Sequence, residues 1–164
     1  ANSDTLCPCG NRGCLEMTAS GRALSNSAGD LAAKGRSVNL AKLWSDTGSI
    51  SAQDIGYWAQ KGDLACVSLI SQSGRAVGEV LASIINFANP ALVIVGGGLA
   101  GLGDRLLASM REVIYQKSTP LATGRLKLCF SQLKGEAGVM GAAALAVDEV
   151  FSMNRVTEMV YQEG

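Results

Sequence analysis

The sequence predicts an α/β domain with a parallel sheet, and three observations carry that prediction. The composition is rich in Ala, Gly, Leu and Val, with aromatics at only 5%, which suits helices packed on a sheet better than a β-sandwich. Leu92–Val95 is a short apolar run of mostly branched side chains between Pro90 and Gly96, the pattern of a buried parallel strand. Around it the segments read helix, strand, helix, strand, helix, the order of βα units.

The bulk properties narrow the class further. At 164 residues the chain is one domain or part of a larger one, and 48% hydrophobic residues suffice for a core. Fourteen basic residues balance 14 acidic ones, which argues against holding DNA or a membrane surface by electrostatics. The absence of histidine removes imidazole acid–base chemistry and imidazole metal ligands from this chain. The most apolar stretch, Val80 to Leu102, contains Ser83, Asn86, Asn89, Pro90 and three consecutive glycines, so it breaks where a membrane helix would continue. No signal peptide is expected from the polar opening. Five cysteines, three of them clustered, do not form a disulfide framework and point to the cytoplasm.

Element by element, Glu16 to Asn26 reads as a short helix with Met17 and Leu24 as apolar contacts, while 27–39 shows no clear periodicity. The acid of Ser51-Ala-Gln-Asp54 completes a capping-box-like start for a helix that ends near Gly62 and carries Tyr57 and Trp58. Gly62-Asp63 then opens a long helix, with Leu64, Val67, Ile70, Val77, Leu81, Ile84 and Ile85 at helical spacing. Asn89-Pro90 stops it, because the residue before proline is pushed out of the helical region. After the strand at Leu92–Val95 come a helix over Asp104–Gln116, a turn over Pro120–Arg125, and a second strand alternating through Leu126, Leu128 and Phe130. A small-residue helix over 135–151 and an amphipathic one over 154–162 close the chain. Gly138, Gly141, Ala142 and Ala143 suit close packing on a sheet or another helix. Two strands do not make a doubly covered sheet, and the long loops expected before Asp54 lack a platform. The chain therefore reads as the C-terminal part of a larger fold.

The densest chemistry is Cys7-Pro-Cys9-Gly-Asn-Arg-Gly-Cys14. Three thiolates at this spacing, with Gly10 and Gly13 free to turn, suit a tetrahedral zinc site. A disulfide within the trio or three merely adjacent thiols are the alternatives; a Cys7–Cys9 bridge would be strained, and the Cys-x-x-Cys pair of redox enzymes is missing. Cys66 and Cys129 lie in apolar patterns and read as core, so a fourth ligand is expected outside this chain. Glu16 follows Cys14 closely, where a carboxylate can accept hydroxyl hydrogen bonds from a sugar or simply favour a helix N-terminus. Gly96-Gly97-Gly98 follows a strand, where α/β sheets bind ligands, and serves equally as a tight turn. It matches neither a dinucleotide fingerprint nor a phosphate loop with its lysine. Trp44, Tyr57 and Trp58 read as packing or dimer residues before sugar-stacking ones.

"CPCGNRGCLE", "NPALVIVGGGLA" and "GEAGVMGAAALAV" together resemble the ROK family, sugar-responsive bacterial repressors and sugar kinases, over roughly Leu6 to Val150. The resemblance implies the C-terminal part of an actin/hexokinase-like (ribonuclease H-like) ATPase fold across 1–164, with a zinc-binding loop. It implies a structural zinc on Cys7, Cys9 and Cys14 plus one upstream histidine, and sugar contact by Glu16. In the kinases it further implies ATP beside Gly96, Gly97 and Gly98, with Mg²⁺. Two functions follow: the sugar-binding and oligomerising part of a transcriptional regulator, or the C-terminal half of an ATP-dependent sugar kinase. Lys117–Leu128 and the tail from Val150 look more like the regulators, so the regulator is the expected reading. DNA would be reached through a domain outside this chain, a homo-oligomer is expected, and no catalytic residue is assigned within it.

Overall fold

A computed structural model describes residues 5–153, 155 and 157. It divides into two compact units, the first ending at Ser131 and the second beginning at Gln132.

The first unit is mostly helical. α1 (Glu16–Ala19), α2 (Gly21–Ala33), α3 (Val38–Thr47) and α4 (Ala52–Gln60) lead into the long α5 (Leu64–Ala88). β1 (Leu92–Val95), a 3-10 turn over Gly97–Leu102, α6 (Asp104–Lys117), α7 (Pro120–Thr123) and β2 (Lys127–Phe130) complete it. The strands pair in parallel, with Leu92 opposite Lys127 and Val95 opposite Phe130. In the second unit a 3-10 turn over Lys134–Glu136 precedes α8 (Ala137–Val150), none of whose residues is buried. The helix expected over 154–162 lies outside the described residues apart from 155 and 157.

Side-chain caps set most helix starts. The hydroxyl oxygens of Ser20 and Ser37 accept the N–H groups of Ala23 and Leu40, each at 3.1 Å. Ser51 and Asp54 form the expected capping box, and Asp63 accepts the N–H groups of Ala65 and Cys66 at 3.0 and 3.2 Å. These bonds satisfy donors that a helix leaves unpaired. α5 ends as expected at Asn89, which adopts the left-handed conformation (φ 45°) and donates its N–H to the Ile85 carbonyl.

Leu40, Ile55, Ile70, Ile85, Leu102, Leu106, Met110 and Ile114 are fully buried. Each contributes about 1.5–3 kcal/mol through removal of apolar surface from water. The axis of the unit is the contact of α5 with α6. A methyl group added at Gly74 would stand 2.9 Å from the Leu106 carbonyl oxygen, and one at Gly78 would stand 2.9 Å from that of Met110. Only glycine lets the two backbones approach so closely. Asn86 ties the far end: its amide donates to the Lys117 carbonyl at 3.0 Å and accepts the Thr119 N–H at 3.1 Å.

Several expectations change. The region before Asp54 is three helices and not loop, because serine caps and buried Leu24, Ala28 and Leu40 organise it. The single helix expected over 16–26 divides at Ser20, which takes an extended conformation and caps α2. Pro120–Thr123 is a helical turn capped by Thr119. β1 is not buried on both faces: Leu92 and Ile94 are 49% and 58% exposed, while Val93 and Val95 pack on the core. Lys127 and Cys129, the partners of Leu92 and Ile94 across the ladder, share the uncovered face. Cys129 is therefore exposed instead of core, whereas Cys66 is fully buried, and burial pushes its thiol up to about 12. Leu64 and Ile84 point outward at 81% and 49% exposure. Among the described residues no helix is long and apolar enough to cross a membrane.

Candidate metal-binding loop and ligand-facing acid

The loop before α1 is a tight hairpin closed by backbone hydrogen bonds. Leu6 and Arg12 form an isolated antiparallel bridge. Within it the Cys7 N–H donates to the Asn11 carbonyl at 2.8 Å, and the Gly10 N–H donates to the Cys7 carbonyl at 2.9 Å. Gly10 and Gly13 take φ of 89° and 70°, the left-handed region that side chains resist. The turn brings the three sulfurs of Cys7, Cys9 and Cys14 within 4.8 Å of one another, and Cys9 Sγ lies 3.6 Å from Cys14 Sγ.

That spacing suits a metal. Sulfurs about 2.3 Å from a tetrahedral zinc stand roughly 3.8 Å apart, so these thiols need little movement to share an ion. Their protonation is already biased. The Asn11 backbone N–H, then the thiols of Cys7 and Cys14, pull the Cys9 thiol down to about 7. Hydrogen bonding with Cys9, then with Cys7, pushes Cys14 up to about 11. Cys7 is buried and Cys9 exposed, with Cys14 between, so the cluster has one side open to a further ligand.

Glu16 begins α1 directly after this loop, exposed and 3.9 Å from Arg22 Nη2. Both partners are more than half exposed, so the pair contributes little stability. The short helix is instead held from below. The buried hydroxyl of Ser73 on α5 donates to the Ala19 carbonyl at 3.0 Å, and α1 packs on α2 and α5. Nothing in the sequence singles out this serine, which sits mid-helix without a motif.

Gly96, Gly97 and Gly98 are exposed at the carboxyl end of β1. Gly97 has φ 71°, and the 3-10 turn that starts there packs on α4. A hollow beyond the turn is bordered by Gly56, Gln60, Leu102, Gly103 and Arg105. The structure thus brings the cysteines together and sets Glu16 on the helix they lead into, while the glycine triplet belongs to a different set of contacts. The aromatics pack. The Trp44 ring occupies the space beside Gly29, Trp58 lies against the core, and Tyr57 meets Trp58 edge to face with centroids 5.1 Å apart.

Known proteins resemble this arrangement along most of its length. The chain is 33% identical over 149 residues to the xylose repressor of Caldicellulosiruptor bescii, covering 91% of this chain and 37% of the repressor. It is 29% identical to the glucokinase of Thermotoga maritima, covering 88% of this chain and 46% of that enzyme. The crystal structure of a ROK family glucokinase from Streptomyces griseus, in complex with glucose and AMPPNP, superposes with a TM-score of 0.71 at 30% identity. That match covers 88% of this chain and 48% of the enzyme. The chain therefore spans less than half the length of these relatives. The profile of the ROK family matches residues 1–149, and the chain belongs to that family.

Proposed function

We propose that this chain is the sugar-binding portion of a ROK-family transcriptional regulator, in which a metal-bound cysteine loop aims Glu16 at a carbohydrate hydroxyl. The observation that carries the reading is the convergence of Cys7, Cys9 and Cys14 immediately before the helix that bears Glu16. Cys7, Cys9 and Cys14 would hold the ion, with a fourth ligand from outside the chain. A structural zinc would supply a cross-link that keeps the hairpin closed.

The remaining work falls to the chain itself. The left-handed glycines shape the hairpin, and Ser73 pins the end of α1. Glu16 then presents two oxygens that accept sugar hydroxyls, the charge-assisted kind of hydrogen bond. The uncovered face of the sheet at Leu92 and Ile94 supports placing the chain as the C-terminal portion of a larger sugar-binding domain. Further polypeptide would complete the sheet, and DNA would be contacted through a separate domain.

The kinase reading has its own support: the likeness to a glucokinase solved with glucose and AMPPNP, and a glycine turn at the end of β1. In that case the glycines would lie against the nucleotide, with Mg²⁺, and the catalytic base would be supplied outside this chain.

Two measurements on the longer protein that contains this chain separate the possibilities. Calorimetric titration with a panel of neutral sugars should show binding, weakened by Glu16→Gln by about 1.5–3 kcal/mol, or about tenfold and more. Equal affinities in parent and variant refute the role of Glu16. ATP-dependent phosphorylation of any sugar in the panel replaces the regulator with the kinase.

A further inference from the structure

We propose that Asn11 is a positioning residue of the cysteine loop, whose side-chain amide donates a hydrogen bond to the Cys9 sulfur and so holds that thiolate toward the shared ligand point. The inference rests on reading the loop as a metal site. Asn11 Nδ2 lies 3.6 Å from Cys9 Sγ, within range for a sulfur acceptor. The Asn11 carbonyl also receives the Cys7 N–H at 2.8 Å. One residue thus fastens the backbone of the first cysteine and touches the sulfur of the second.

Cys9 is where such a donor matters most. Cys7 is buried and so confined by its neighbours, whereas Cys9 is exposed and held by contacts within the loop itself, the Asn11 amide among them. Three thiolates also carry more negative charge than a divalent ion neutralises. An N–H aimed at the exposed sulfur disperses that excess, as partners outside the ligand shell do at metal sites generally. Aspartate has nearly the same shape but no donor, and would set a carboxylate against the thiolate.

The test compares the zinc affinity of the longer protein that contains this chain with that of its Asn11→Ala and Asn11→Asp variants by chelator competition, with cobalt substitution as the second readout. Both variants should bind zinc about 10–100-fold more weakly. The thiolate-to-cobalt charge-transfer band should move to lower energy, because a sulfur without its hydrogen bond gives up electron density more readily. Affinities within twofold of the parent (about 0.4 kcal/mol) overturn the inference and leave the metal site standing. Weaker binding with an unmoved band overturns it too, because a general loosening of the loop would give that pattern. A parent that takes up neither zinc nor cobalt removes the metal reading and the role of Asn11 with it.

Discussion

Asp63 joins two helix starts through one carboxylate. Its Oδ1 accepts the N–H groups of Ala65 and Cys66, while Oδ2 accepts the Ser37 hydroxyl and the Asn39 amide. Partial burial alone would raise its pKa, but the hydrogen bonds from Ser37, Asn39, Cys66 and Ala65 prevail and hold it below the ordinary value of 3.8. Folding therefore favours the charged form. The associated stability is complete above the unfolded value and is lost as pH falls through the lower folded one. Urea unfolding with chelator present should show that acid loss in the parent and a shallower one in Asp63→Asn. The variant should also be about 1–2 kcal/mol less stable at neutral pH. Parallel acid limbs in the two proteins would show that Asp63 is not the group responsible.

The contact between α5 and α6 depends on what is missing from two positions. Gly78 admits the Met110 carbonyl and Val113, and Gly74 admits Ser109 and the Leu106 carbonyl. An alanine at Gly78 would gain about 1 kcal/mol of helix propensity, but its methyl group meets backbone that cannot rotate away. Overpacking of that kind costs typically about 1–3 kcal/mol, so Gly78→Ala should lower the unfolding free energy in a urea titration. A stabilised variant would mean that α6 shifts freely and that the close approach is incidental. Asn86 reinforces the same pair through the Lys117 carbonyl, while Arg111 Nη2 donates to the Leu128 carbonyl at 2.8 Å, linking α6 to β2.

Two parallel strands with one covered face make an incomplete platform for chemistry. Glu16, the acid proposed to meet the sugar, and the glycine turn sit on separate elements, and both are exposed. The chain spans less than half the length of the ROK relatives it matches, and on the proposed reading the rest of the site lies in polypeptide outside it. The isolated chain should consequently show no sugar-dependent ADP release with any member of a sugar panel. Turnover by it alone would refute the view that half of the site lies elsewhere. In the longer protein, Cys9→Ser should lower both metal content and sugar affinity. Unchanged values of both would count against the loop as the device that aims Glu16.

The sequence by itself determined the features built from near neighbours. The capping box at Ser51 and Asp54, the stop at Asn89-Pro90 and the alternation of β2 rest on contacts a few residues apart, as does the convergence of Cys7, Cys9 and Cys14. Local pattern and backbone preference therefore suffice to read them. Tertiary structure decided the rest: that Ser73 pins Ala19, that Gly74 and Gly78 are contact surfaces, and that Leu92, Ile94 and Cys129 stand in water. Burial depends on which distant segment covers a residue, and an apolar run looks the same in sequence whether one of its faces is covered or both.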